Sequence, residues 1–231
     1  MPDFPPLFTG TPADDPFEVA CARADEGCDA GLITYDIGQT NLQAAIVFAP
    51  DVPLAEAMIM HPICGVGFQN ALGALAPPEV AVHLEWAGGI RVNGASCGRL
   101  SVASATLDAD SIPNWLVVGL HVNLWPETDD PGSTPDRTAL FAEGCVGLDP
   151  AGLIAAWARH TLVSINTWSD KGAAAIHREW CGLVHGIDAP IEMQGKSGIF
   201  VGVDEHFGML INDDETMHLI ALTTILEPRP S

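Results

Sequence analysis

The stretch EWAGGIRVNGASCGRL, Glu85–Leu100, decides how the chain is read. Asn93-Gly94 is the preferred centre of a two-residue hairpin, because both positions need positive φ. Counting back from that turn pairs Val92 with Ala95, Arg91 with Ser96, Ile90 with Cys97 and Gly89 with Gly98. Two glycines then face each other across the ladder and leave bare backbone on which a flat ring could lie; a β-bulge or tight bend explains the same glycines without a ligand. Gly94–Gly98 also spells GASCG, a G-x-S-x-G match. A nucleophile elbow needs a strand that turns sharply into a helix. Here RLSVASATL continues as strand, so a serine hydrolase using Ser96 is the minor alternative. Cys97 has no histidine placed beside it by the sequence.

Working outward, Asp15-Pro16 starts a helix, with aspartate as N-cap and proline at the first helical position. GLITYDIG and NLQAAIVFAP read as two strands. An apolar helical pattern runs from Met58 to Leu75, and Pro62 is expected to break or kink it. PPEVAVHLEW returns to strand, and NWLVVGLHVNLW is long enough to cross a sheet. PETDDPGSTPD is a turn-rich loop, Asp149-Pro150 caps a third helix, and residues 170–180 form a fourth. From 183 onward, short strands (IEMQ, GIFVGV, GMLIN, MHLIALTTIL) are separated by turns at Gly195, Gly208 and Asp213-Asp214.

Composition narrows the function classes. Nine Lys+Arg stand against 30 Asp+Glu, a formal charge of −21. Such a surface repels a phosphate backbone and opposes long-range attraction of nucleotides, so no nucleic-acid partner is expected. No apolar run approaches the ~20 residues that cross a bilayer, and the start MPDFPPLFTGTPADDPF lacks a secretion signal's features. Six scattered cysteines suit a reducing compartment, so a cytoplasmic protein without a membrane partner is expected. HLEW lacks a downstream P-C-x-x-C, DEHFG and NDDETMH read as acidic turns, and neither a Walker A loop nor G-x-G-x-x-G is present, so no metal site is assigned.

In order along the chain, these segments resemble the biotin and lipoate protein ligase superfamily. WAGGIRVNGASCGRLSV is similar to its Trp-Pro-Asn-Asp hairpin followed by a Lys-x-x-Gly strand. VVGLHVNL resembles its Gly-x-Gly-x-Asn strand, TALFAEG its Thr-Ser-Leu segment, and residues 180–211 its SH3-like C-terminal domain. The resemblance implies an α+β fold: a mixed sheet with flanking helices, and a small C-terminal SH3-like β-barrel. It implies a tail over 1–14, a ligase-like domain over 15–182 and the SH3-like domain over 183–231. The implied reaction activates biotin or lipoate with ATP and Mg²⁺ to an acyl-adenylate, then passes the acyl group to a lysine of a carrier domain.

The sequence departs from that pattern where charge matters most. LITYDIGQTNLQAAI runs through without the family's Gly/Arg-rich loop. The family's Lys-Trp-Pro-Asn-Asp falls on Glu85, Trp86, Ala87, Gly88 and Gly89, and its strand lysine falls on Ala95. Asn123 survives, and Arg99 is new. Only Lys171 and Lys196 are lysines. The expected ligand-binding set is therefore Trp86, Gly88, Gly89, Gly98, Arg99, Gly119, His121 and Asn123, with no catalytic residue assigned. The expected ligand is a small biotin- or lipoate-like acid clamped by Arg99. A divergent, catalytically impaired binder is expected, with an active biotin or lipoate ligase or acyltransferase as the alternative, in which ATP and Mg²⁺ are retained and a biotinyl or lipoyl carrier domain is the partner.

Overall fold

A computed structural model describes residues 2–126 and 134–228. The PETDDPGSTPD loop lies largely outside the described residues. Seven strands form the main sheet: β1 (Thr9–Pro12), β2 (Leu32–Ile37), β3 (Asn41–Phe48), β4 (Val82–Leu84), β5 (Gly89–Val92), β6 (Ala95–Ser104) and β7 (Leu116–Asn123), in the order β1-β2-β3-β7-β6-β5-β4. β1 and β2 run parallel and every other neighbouring pair is antiparallel. Part of the segment expected as an N-terminal tail is thus an edge strand. Its residues are exposed, so the pairing with β2 rather than burial holds it there.

Helix α1 (Pro16–Asp25) covers one face of this sheet. Asp15 caps it by accepting the Glu18 amide at 3.2 Å, and Ala20, Cys21 and Ala24 pack on Ala45, Val47, Ala103 and Val117. The opposite face carries the larger core, under α2 (Leu54–Ala57), α3 (Met60–Leu75), α4 (Pro150–Lys171) and α5 (Ala173–Cys181). Pro62 does not kink α3. It falls in the first turn, where no intrahelical amide bond is lost. Asp149 caps α4 through the amides of Ala151 and Gly152, and Gly172, at φ +74°, separates α4 from α5.

A separate antiparallel sheet, β8 (Pro190–Met193), β9 (Lys196–Val203), β10 (Met209–Asn212) and β11 (Met217–Ile220), forms the small barrel-like C-terminal domain. The second half of MHLIALTTIL is a 3₁₀ turn over Leu222–Ile225, not strand. Among the described residues no helix is long and apolar enough to cross a membrane.

Candidate functional site

The hairpin forms at Asn93-Gly94, with φ of +50° and +92°, but its register changes before the glycines meet. Val92 pairs with Ala95 and Arg91 with Ser96. A bulge at Cys97 then moves the ladder by one residue, so that Ile90 pairs with Gly98 and Gly89 with Arg99. The expected Gly89–Gly98 recess therefore does not exist. A Cβ on Gly98 would strike the His121 carbonyl, and one on Gly89 would strike the Glu85 carboxylate. Both positions are filled by neighbours.

The slip decides which side chains share a face, because strand side chains alternate. Arg99 lies opposite His121 on β7, His121 opposite Gln43 on β3, and Gln43 opposite Asp36 on β2. One row further along the strands stand Ser101, Gly119, Ala45 and Thr34. A polar row and a row of small residues thus run side by side on the face that α1 covers. The Phe17 ring sits directly over Gly119, 2.6 Å from where a Cβ would project, so the absent side chain is what seats α1 here. Thr34 Oγ1 donates to the Pro16 carbonyl at 2.6 Å and fixes the start of the helix.

Between the sheet and the N-terminal turn of α1 lies a cavity of about 290 Å³. Asp15, Phe17 and Glu18 form its roof, Gln43, Ser101, Gly119 and His121 its floor, and Arg99 and Glu227 its mouth. Glu227 arrives from beyond the second sheet; its amide donates to the Val102 carbonyl at 2.8 Å. Its Oε1 stands 3.6 Å from Arg99 Nη1, and the guanidinium side chain remains 65% exposed. Arg99 is the one arginine of this lining, which includes no lysine, whereas Asp15, Glu18 and Glu227 supply three carboxylates.

Of the expected ligand-binding set, the structure brings Arg99, Gly119 and His121 to this cavity. It places the other five elsewhere. Trp86 is 3% exposed and its indole N–H donates to the Phe207 carbonyl at 2.7 Å, which ties the two domains together. Gly88 and Gly89 make the turn into β5, where the Glu85 amide bonds the Gly89 carbonyl and the Leu100 amide the Gly88 carbonyl. Gly98 presses on the β7 backbone. Asn123 donates its side-chain amide to the Thr138 carbonyl at 3.2 Å and so anchors the TALFAEG segment.

The remaining sequence candidates are structural. Ser96 lies within strand pairing: its amide donates to the Asp136 carbonyl and its carbonyl accepts from Thr138, each at 2.8 Å, and no helix follows. That geometry is not a nucleophile elbow. Burial pushes the Cys97 thiol up to about 12, so it is no nucleophile either. Glu85, the acid at the family's lysine position, is bonded by Arg91, which also donates to the Gly94 carbonyl. Missed by the sequence reading were Asp15, Phe17, Glu18, Gln43, Ser101 and Glu227. The signal for one of them was present: Gln43 interrupts the otherwise apolar run from Leu42 to Phe48.

These residues do not fit ATP and Mg²⁺. A triphosphate would face three carboxylates and a single guanidinium, and the Asn123 amide is already engaged. Among the described residues no three His, Cys, Asp or Glu side chains gather in a way that could hold a metal ion.

Comparison with known proteins finds a match to the model of the biotin/lipoate A/B protein ligase family over residues 4–182, and to that of Domain of unknown function (DUF4444) over residues 190–228. The chain is similar to a solved biotin protein ligase-like protein of unknown function from Silicibacter sp. TM1040, at 56% identity over 99% of this chain and 100% of that one, with a TM-score of 0.94. It also resembles biotin protein ligase from Aquifex aeolicus, solved with biotin and ATP, at 14% identity over 92% of this chain and 95% of that one, TM-score 0.69. Biotin protein ligase from Leishmania major, in complex with biotinyl-5-AMP, is 17% identical over 94% and 99%, TM-score 0.58. At those two identities the likeness is one of fold. No curated protein matches the chain.

Proposed function

Because the chain belongs to the biotin/lipoate A/B protein ligase family, we propose that it binds a small carboxylic acid of the biotin or lipoate kind in the cavity beneath α1, without forming an acyl-adenylate at a ligase's rate. The observation that carries this reading is the lining itself, one guanidinium among three carboxylates. Arg99 has five N–H donors and one loose carboxylate neighbour, which suits it to clamp an acid's carboxylate. Adenylation asks for more, since charge develops on phosphate and acyl oxygens together. Removing one well-placed donor from such a transition state costs about 2.7–4 kcal/mol. Here Ala95 stands where the family's strand lysine is expected, and Glu85 where its hairpin lysine is expected.

The matched residues, 4–182 and 190–228, support a division into a ligase-like domain ending at 182 and a small C-terminal domain after it, with β1 belonging to the first. Six cysteines without disulfides support a reducing, cytoplasmic setting.

Two measurements test the proposal. Biotin or lipoate should raise the melting temperature of the parent protein, and Arg99→Met should remove that shift while leaving the unliganded Tm unchanged. An undiminished shift in Arg99→Met would take the guanidinium out of the site. ATP–pyrophosphate exchange should not respond to either acid. Exchange at the rate of an active ligase would overturn the impaired reading in favour of the alternative, an enzyme that uses ATP and Mg²⁺ and modifies a carrier-domain lysine.

A further inference from the structure

The charge around the cavity says more about the ligand than the family does. We propose that the cavity selects a zwitterion: a short amino acid whose carboxylate meets Arg99 and whose ammonium group meets Glu18 and Asp15. This rests on the reading of the cavity as the binding site, and it narrows the ligand from an acid to an amine-bearing acid.

With histidine neutral, the lining carries a formal charge of −2, one arginine against Asp15, Glu18 and Glu227. A simple monoanion would raise that imbalance. A zwitterion leaves it unchanged and sets each of its charges opposite a partner. The acids are not equivalent. Glu227 is the neighbour of Arg99 at 3.6 Å, whereas Glu18 and Asp15 pair with no cation among the described residues. Asp15 gives one carboxylate oxygen to the Glu18 amide as helix cap and keeps the other. Glu18 supplies only its amide to that cap, so its carboxylate is not committed to holding the helix.

An acidic helix start alone would mark no site; the floor beneath supplies the independent sign. Ser101 is only 8% exposed, lies in the lining, and its hydroxyl has no hydrogen-bond partner among the described residues. That hydroxyl opens into the cavity, where it offers a donor and an acceptor to a bound group. Beside it the Phe17 ring, seated on Gly119, offers an apolar wall to the chain between the ligand's two charged ends. The volume of about 290 Å³ admits a chain of a few carbons, which brings an ammonium under α1 while the carboxylate stays at the mouth.

The test is calorimetric titration of the full-length protein with 6-aminohexanoate, hexanoate, hexylamine, biotin and lipoate. Binding of 6-aminohexanoate should exceed that of hexanoate and hexylamine by about tenfold or more, the value of a charge-assisted contact at each end. Glu18→Gln, which leaves the Asp15 cap in place, should lower 6-aminohexanoate affinity about tenfold and leave hexanoate binding unchanged or stronger. Asp15→Asn, which retains a capping oxygen, should act in the same direction. If biotin, lipoate or hexanoate binds as tightly as the amino acid, and Glu18→Gln changes nothing, the zwitterion inference is overturned while the acid-binding reading stands. If none of the five produces heat, both are overturned.

Discussion

His61, in the first turn of α3, is 4% exposed, and its Nε2 has no partner among the described residues. It faces the Gly88 turn, where a Cβ would stand 2.9 Å away. Burial lowers its pKa from 6.5 to about 4. The neutral imidazole is the folded form, so between those two values the unfolded chain binds the extra proton. Stability from this residue is complete above pH 6.5 and is lost as the pH falls toward 4, a change of about 3 kcal/mol. Urea titrations of parent and His61→Leu between pH 7 and 4 should show the parent losing about that much more than the variant. Parallel curves would mean that the imidazole accepts its proton without unfolding. Arg99 belongs to the same scale: its number in the chain was legible, its face was not.

At the level of elements, α3 and α4 show how a close approach is encoded. Trp157 donates its indole N–H to the Cys64 carbonyl at 3.0 Å, and Gly67 lies against Thr161. A Cβ on Gly67 would stand 3.0 Å from the Thr161 amide nitrogen and 3.1 Å from its Cα. Alanine in a helix interior ordinarily gains about 0.5–1 kcal/mol over glycine. Forcing two packed helix backbones apart costs about 1–3 kcal/mol, so the steric effect wins. Gly67→Ala should therefore destabilise by about 1–2 kcal/mol in chemical denaturation; a gain would show that the helices part freely. The bulge at Cys97 is the same lesson in a sheet. The turn residues fixed where the hairpin bends, but the bulge chose the face on which Arg99 lies.

The whole molecule is joined through Phe207, a buried residue of the second sheet's domain with φ +62°. Its ring meets Trp180 and His177 of α5, and its carbonyl accepts the Trp86 indole N–H at 2.7 Å. The linker after α5 also pairs with β4, the Leu84 amide donating to the Leu183 carbonyl. Trp86→Phe keeps a ring in place and removes the one donor. It should cost about 1–3 kcal/mol, because the Phe207 carbonyl is left buried and unpaired. Thermal unfolding followed by circular dichroism should show the lowered Tm, and an unchanged Tm would mean that water replaces the indole. Domain contact matters to the cavity as well, since Glu227 reaches its mouth only after the chain has traversed the second domain.

The sequence by itself determined the local events: the caps at Asp15 and Asp149, the Asn93-Gly94 turn, the long crossing strand β7 and the change to short strands after 183. Each depends on residues a few positions apart, whose φ preferences and capping oxygens act wherever the chain goes. Motif order carried the family for the same reason. Tertiary structure alone decided the register beyond the bulge, the engagement of Trp86 and Asn123 in structural bonds, and the assembly of the cavity from α1, β3, β6, β7 and Glu227. A one-residue slip reverses a strand's faces, and the choice between registers is made by summed packing across the sheet, which no short stretch of chain contains.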